Sequence, residues 1–595
     1  MPKGLLWIAL LACAPTAGAA ASGSPPPDVI VVGAGIAGLS AAWEAAQAGA
    51  RVSVVDMWSV FGGHAVMSQG GLCIVGTPVQ EARGVRDTPE LAFKDFVDWG
   101  EDPNTDWVRY YVDHSRREIY DWLTEFGVSF DEVSQPPGNS VPRFHQTHGR
   151  GVGLISPIYR ACVMDPRVSF VWNLQVTGLV RDGDRIVGIR GRDMRTGESR
   201  ELRARAAILA TGGFQSNLEM VRTFWPSALP FPERILAGSG VNSLGSGLEV
   251  AQAAGAVLQN MDHQWNYATG MPDPRYPGLA RGLSANNEAA LWVNAEARRF
   301  VDESLSQRFL LQALLRQTRA TYWAIFDEAG KHGFRISGSD WGDFATIERV
   351  VFGNPKLVQK AATLDALATT IGLPAEALST TVQHFNDMVA AGHDTDFGRF
   401  GKEGVPIPAR IATPPFYAIQ FFPLARKSMG GVSIDTAARV VDKGGKSILG
   451  LYAAGELTGL AGINGKAGLE GTFLGPSIVT GRVAGRTAVA DLGAAPMIPV
   501  TLAPVTSRPA PRAADTQARF QKTTYCQSCH DLAAAIASPR RGYSHFEKVH
   551  GVVLERRYEC LECHTTFGRY VPGAHRIDPV AHIATCVRCH VAVER

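Results

Sequence analysis

The stretch from Asp28 to Asp56, DVIVVGAGIAGLSAAWEAAQAGARVSVVD, leaves this chain little choice of fold. Val29 to Val32 are apolar and β-branched, and read as a buried strand. Gly33-Ala34-Gly35-Ile36-Ala37-Gly38 follows at once, then a helix-like run from Leu39 to Ala48 that Gly49 stops. Arg51 to Val55 makes a second strand, ending in Asp56 eighteen positions beyond Gly38. A G-x-G-x-x-G between strand and helix, with an acid at that distance, is the full dinucleotide-binding fingerprint. Its glycines let backbone approach a pyrophosphate, whose charge meets the helix N-terminus, and Asp56 accepts from a ribose hydroxyl.

At 595 residues the chain should hold several domains, each with its own core. A formal net charge of +2 and the lack of a basic stripe argue against a nucleic-acid partner. Residues 1–19 read as a secretory signal: Lys3, an apolar run from Leu5 to Ala12, and Ala17-Gly18-Ala19 as cleavage site. Leu10-Leu11-Ala12-Cys13 loosely resembles a lipid-attachment box, which leaves an anchored form as the alternative. No later run is long enough to span a bilayer, so an exported, periplasmic protein that is not integral to the membrane is expected.

The cysteines are unevenly placed. Cys73 and Cys162 stand alone and read as small core residues. Six others form Cys526-Gln527-Ser528-Cys529-His530, Cys560-Leu561-Glu562-Cys563-His564 and Cys586-Val587-Arg588-Cys589-His590. Each C-x-x-C-H reads as c-type haem attachment, with two thiols on the porphyrin edge and His530, His564 or His590 as proximal iron ligand. Paired Cys and His also suit zinc, but three identical pentads in an exported chain favour haem. His545, His550, His575 and His582 supply candidates for the opposite axial positions. Six-coordinate iron suits electron transfer, since no position remains open for chemistry. Residues 494–520, rich in Pro and Ala, read as a linker to this trihaem domain at 521–595.

The fingerprint, the segment Phe61 to Gly71 and several later pieces resemble the flavoprotein subunits of fumarate reductases and succinate dehydrogenases, including soluble flavocytochromes c. His64-Ala65-Val66-Met67-Ser68-Gln69-Gly70-Gly71 is similar to the family's H-T-V-x-x-Q-G-G, whose histidine carries FAD covalently in membrane-bound members. Gly62-Gly63 before it looks like the non-covalent soluble members, so covalency at His64 stays open. Two glycine pairs also suggest backbone pressed against a flat or charged ligand. The resemblance puts Gly63, His64, Ser68, Gly70, Gly71 and Val176 near FAD. It adds Ala210, Thr211 and Gly212 from the A-T-G turn, Gly455 and Glu456 from the second FAD motif, and Leu474 and Gly475 from the closing segment. Arg143-Phe144-His145 with Gly149 to Gly153 resembles the active-site glycine-rich loop.

The substrate end departs from the family. Arg298 to Glu303 matches R-F-V-[ND]-E, where the acid belongs to a proton path, but the following arginine position holds Gln307, with Arg308 beside it. The donor arginine after F-D-[DE] is at best replaced by Lys331. Arg426-Lys427 stand where the family has histidine before T-M-G-G, here Ser428-Met429-Gly430-Gly431. Adjacent side chains on an extended segment point opposite ways, so one of the two should face the cleft and the other meet solvent or an acid; register favours Lys427. The substrate-clamping arginine of N-R-L-G-G-N aligns with Gly468, with Lys466 and Glu470 nearby. Leu474-Gly475-Pro476 looks more like the ketosteroid dehydrogenase branch, yet that branch's tyrosine falls at Ala467.

The expected architecture is α/β. A Rossmann-like FAD domain (28–260 and 413–493) carries an inserted α+β capping domain (261–412), followed by a trihaem cytochrome with little regular structure. The resemblance implies reduction of an activated C=C bond of a small substrate at FAD. Electrons would pass through three haems from a quinol-linked membrane protein or a soluble cytochrome. Catalytic candidates are Arg426, Lys427, Glu303 and Lys331. A dehydrogenase sending electrons outward, and an electron shuttle with a degenerate site, are the alternatives.

Overall fold

The computed structural model describes residues 27–58, 60–194, 196–338, 341–401 and 406–493. The expected leader at 1–19, the expected linker at 494–520 and the C-x-x-C-H pentads with the histidines assigned to them all lie outside the described residues.

The first strand, Val29–Val32, is buried at all four positions, as a run without polar alternation requires when both sheet faces are covered. It pairs in parallel with Val52–Asp56 on one side and Ala206–Leu209 on the other. The full sheet has six strands in the order Arg439–Val441, Ser447–Ala453, Ala206–Leu209, Val29–Val32, Val52–Asp56, Val168–Trp172. Only the edge strand Arg439–Val441 is antiparallel to its neighbour. The helix Ile36–Gln47 leaves the glycine turn and crosses the terminal helix Leu474–Ala490. That crossing is close because it is made at glycines: a Cβ on Gly481 would sit 2.2 Å from Ala37 O, and one on Gly485 2.3 Å from Ala41 O. Arg482 seals the same pair through Glu44 at 2.6 Å.

A second, eight-stranded sheet forms the other large unit, built mainly from antiparallel pairs. Its spine is the thirteen-residue strand Phe416–Ser428, which pairs with Gln264–Pro272, Tyr322–Asp327, Val358–Ala361 and Leu236–Ala237. The sheet of the inserted region thus takes in a strand beyond residue 412 and a short one before 261. Two further apolar cores lie on this unit, one around Trp292, Tyr322 and Phe421 and one around Leu378, Val382 and Phe385. Leu258–Gln259 and Gly431–Val432 run antiparallel as the chain enters and leaves the unit. The α/β architecture is therefore the one expected. Among the described residues, no helix is long and apolar enough to cross a membrane.

Candidate functional site

A cleft of about 260 Å³ opens at the carboxyl ends of the parallel strands, where α/β sheets hold their ligands. Gly33, Gly35, Ala37, Asp56, Gly63, His64, Val176, Ala210, Thr211, Gly212, Glu456 and Leu474 line it. The glycines divide the work. A Cβ on Gly33 would lie 2.3 Å from Ala210 O and one on Gly38 1.9 Å from Gly33 O, so both serve packing. A Cβ on Gly35 would meet nothing within 4 Å, which leaves room for a pyrophosphate at the helix start. Asp56 accepts from Ala34 N and Trp58 N, both at 2.7 Å, and burial pushes its carboxyl up to about 6. Thr211 Oγ1 is buried in the wall of the cleft without a hydrogen-bond partner among the described residues. An open glycine cradle, an orphaned hydroxyl and an acid at the strand end fit a dinucleotide.

Ala34, Gly38, Ser68, Gly70, Gly71, Gly455 and Gly475 stand behind this lining. Gly70 and Gly71 press on protein: a Cβ would come 2.1 Å from Thr147 Oγ1 and 1.9 Å from Phe144 Cζ. Ser68 Oγ donates to Ala65 O and accepts from Gly70 N, holding the turn after His64. Gly455 N donates to Thr480 Oγ1 at 2.9 Å. A Cβ on Gly475 would sit 2.2 Å from Tyr111 Oη.

His64 is partly buried, lies 3.2 Å from Ser239 Oγ through Nδ1, and has Glu456 Oε2 at 3.7 Å. Burial lowers its affinity for a proton despite the acid. Ser428 Oγ accepts from Phe214 N at 3.1 Å, while Ser428 N donates to Glu456 Oε1 at 2.9 Å. The end of the long strand is thereby tied to both FAD motifs, and Arg426 and Lys427 are fixed two residues and one residue from that tie.

Both cations are buried, at 6% and 9% exposure, and neither makes an ion pair among the described residues. Among the described residues Arg426 makes one hydrogen bond, from Nη1 to Gly238 O, and its buried Nε has no partner. Lys427 Nζ lies 3.8 Å from the centre of the Trp265 ring and 5.3 Å from those of Tyr267 and Phe473. Desolvation, opposed by Glu470, brings the ammonium down to about 8. The expectation that one of the pair meets solvent is not met. Arg281, which gave no sequence signal, joins the same corner, with Nη2 on Ser239 O at 2.7 Å and Nη1 on Ser216 Oγ at 2.9 Å.

The other two catalytic candidates are held elsewhere. Glu303 accepts from Arg299 at 2.8 and 2.9 Å and from Arg399 at 3.1 Å, inside a cluster with Asp394. Lys331 Nζ pairs with Glu348 at 2.5 Å and Glu328 at 3.8 Å. Both are saturated by ion pairs of the second unit. His145 is fully buried between Thr77 Oγ1 and Arg143 O, each at 2.7 Å, and His148 pairs with Asp131 on the surface. Cys73 and Cys162 are buried free thiols that burial makes harder to ionise.

A family model described as an FAD binding domain matches residues 28–474. The chain belongs to this FAD-binding family. It is similar to a KsdD-like steroid dehydrogenase of Mycobacterium tuberculosis, 32% identical over 547 residues, covering 78% of this chain and 96% of the relative. It is similar also to the cytochrome-type fumarate reductase of Shewanella frigidimarina, 33% identical over 467 residues, covering 78% and 76%. Among solved structures, the open conformation of a flavocytochrome c3 fumarate reductase superposes with a TM-score of 0.66 at 29% identity, covering 79% of each chain. The protein is thus an FAD-dependent oxidoreductase related to fumarate reductases and ketosteroid dehydrogenases.

Proposed function

We propose that this chain is an exported flavocytochrome c that reduces an activated C=C bond of a small anionic substrate. Electrons would come from a quinol-linked or soluble cytochrome donor through three c-type haems on its tail. One observation carries the reading: Arg426 and Lys427 are buried, make no ion pair among the described residues, and are pinned beside the FAD cleft through Ser428 and Glu456. A buried charge without a partner is costly, so such a pair is retained where a ligand supplies the opposite charge.

Bound FAD would supply hydride to one carbon of the double bond. Arg426, with most of its donors free, would hold the substrate carboxylate and draw charge away from the carbon that hydride attacks. Lys427 would give its proton to the adjacent carbon, so that hydride and proton add across the bond and leave a saturated acid. With its ammonium brought down to about 8, Lys427 has both charge states within reach near neutral pH. The amine left behind is neutral and suits its aromatic surroundings.

The similarity to a steroid dehydrogenase, with Leu474-Gly475-Pro476, supports a second reading in which a saturated substrate is oxidised and electrons leave outward. The test separates these readings. Holoprotein with dithionite-reduced haems is mixed with a panel of unsaturated acids and enones, and oxidised holoprotein with their saturated partners. Reoxidation of haem by an unsaturated acid supports the proposal. Haem reduction by a saturated partner alone selects the dehydrogenase, and no response in either arm selects an electron shuttle.

A further inference from the structure

Three consecutive carbonyls at the wall of the cofactor cleft are each taken by a side chain. Gly238 O accepts from Arg426 Nη1, Ser239 O from Arg281 Nη2 at 2.7 Å, and Gly240 O from Ser216 Oγ at 2.7 Å. Arg281 Nη1 donates in turn to Ser216 Oγ at 2.9 Å. The segment that carries these carbonyls joins the two sheets: Leu236–Ala237 pairs with Leu424 and Ala425 of the long strand, and Gly240 lines the cleft. Ser239 Oγ lies 3.2 Å from His64 Nδ1, and a Cβ on Gly240 would come 3.3 Å from His64 N. The Arg281 guanidinium thus stands one hydrogen bond behind the wall that His64 and Gly240 form.

Arg281 makes no ion pair among the described residues, and its buried Nε has no hydrogen-bond partner among them. Asp273, joined to it through the backbone, is held by Arg275 at both oxygens, at 3.0 and 2.8 Å. Both Nη atoms of Arg281 are committed to the wall, so its charge is fixed in place there. A dinucleotide pinned at Gly35 and Asp56 leaves the stretch of cleft lined by His64, Gly240, Glu456 and Phe473 to the isoalloxazine. Two-electron reduction puts negative charge on that ring, and a fixed cation in a water-poor site stabilises charge that develops beside it. Glu456 opposes this from the same stretch, while Arg426, on the neighbouring carbonyl, adds to it. We propose that Arg281 is a positioning residue of the flavin site: it holds Ser239 against His64, and its charge favours the reduced, anionic flavin. The flavin's reduction potential is thereby raised, whichever way electrons flow.

The test is titration of the oxidised holoprotein with sulfite, which adds to oxidised flavin and leaves negative charge on the ring, followed by difference absorbance. The flavin potential is read by spectroelectrochemistry. Arg281→Gln, which keeps a donor and loses the charge, should bind sulfite at least tenfold more weakly. Its flavin potential should fall by at least about 30 mV, the same tenfold for a two-electron couple. Arg281→Lys, which keeps the charge and loses the planar fork, should stay within threefold of the wild type. Ser216→Asp sets a carboxylate against the intact guanidinium and should weaken sulfite binding at least fivefold, whereas Ser216→Asn should not. That pair decides the matter if Arg281→Gln does not fold or hold flavin. Unchanged sulfite affinity in Arg281→Gln, an equal loss in Arg281→Lys, or unchanged affinity in Ser216→Asp each overturns the inference.

Discussion

Replacing Lys427 with methionine should stabilise the protein and disable it. Lys427 is 9% exposed, makes no hydrogen bond or ion pair among the described residues, and titrates at about 8 against 10.5 for the free side chain. That depression corresponds to roughly 3 kcal/mol of unfavourable free energy for the folded, charged form. Three aromatic rings return part of it, about 1 to 2 kcal/mol for a desolvated cation–π cluster. Methionine fills a similar volume and pairs well with aromatic rings. A net gain of about 1 to 2 kcal/mol at pH 7 follows, read as a higher urea midpoint by near-ultraviolet circular dichroism. The sign with pH is fixed. Between about 8 and 10.5 the unfolded chain keeps a proton that the folded one has lost, so wild-type stability rises with pH there. The advantage of methionine should fade across that window. Substrate-driven haem reoxidation should fall by about 10² to 10⁴, the usual worth of a general acid. A variant at least 1 kcal/mol less stable at pH 7, with turnover intact, would refute both the electrostatic and the catalytic argument.

Gly35→Asp should abolish flavin retention while leaving the fold intact. A Cβ at Gly35 meets nothing, and the added carboxylate faces the pyrophosphate; flavin absorbance and circular dichroism of the purified variant check this. His145 is held down to about 4 by burial, so acidification from about 6.5 to 4 protonates the unfolded chain first and removes roughly 3 kcal/mol of stability. Urea midpoints of His145→Gln should lack that part of the slope. Mature protein expressed with a haem-maturation system should carry three haem mass increments on Cys526, Cys529, Cys560, Cys563, Cys586 and Cys589; intact mass spectrometry showing fewer would count against the reading of the tail.

The cofactor half of the site was legible because its signals are local. Strand, glycine turn and helix follow one another within Asp28 to Asp56, and Ala210-Thr211-Gly212 and Gly455-Glu456 each sit at the end of a strand. Gly70 and Gly71 show the limit of such reasoning: their lack of side chains serves Thr147 and Phe144. Of the buried corner beside the cofactor cleft, sequence singled out only Arg426 and Lys427. Trp265, Arg281, Ser239 and the fit of Gly468 against the indole come from four separate stretches, brought together by long-range sheet pairing that no spacing encodes. Glu303 and Lys331 show a second limit, in the neighbours that a motif does not name. Their motifs resemble catalytic ones, but whether an acid or base is free depends on its ion-pair partners, here Arg299, Arg399 and Glu348.

The strand Phe416–Ser428 has a consequence for how this molecule divides its labour. The chain enters the second unit beside Leu258–Gln259 and leaves it beside Gly431–Val432, which are hydrogen-bonded neighbours. The chain between them leaves and returns at this pair, while Leu236–Ala237 and the Arg281 bonds to Ser216 and Ser239 join the two units beside it. The parallel sheet on the near side holds every glycine of the cradle, whereas Arg426 and Lys427 belong to the far side. Cradle and buried cations thus belong to different sheets, and the tie of Ser428 N to Glu456 carries any shift of the long strand straight to the cradle's edge.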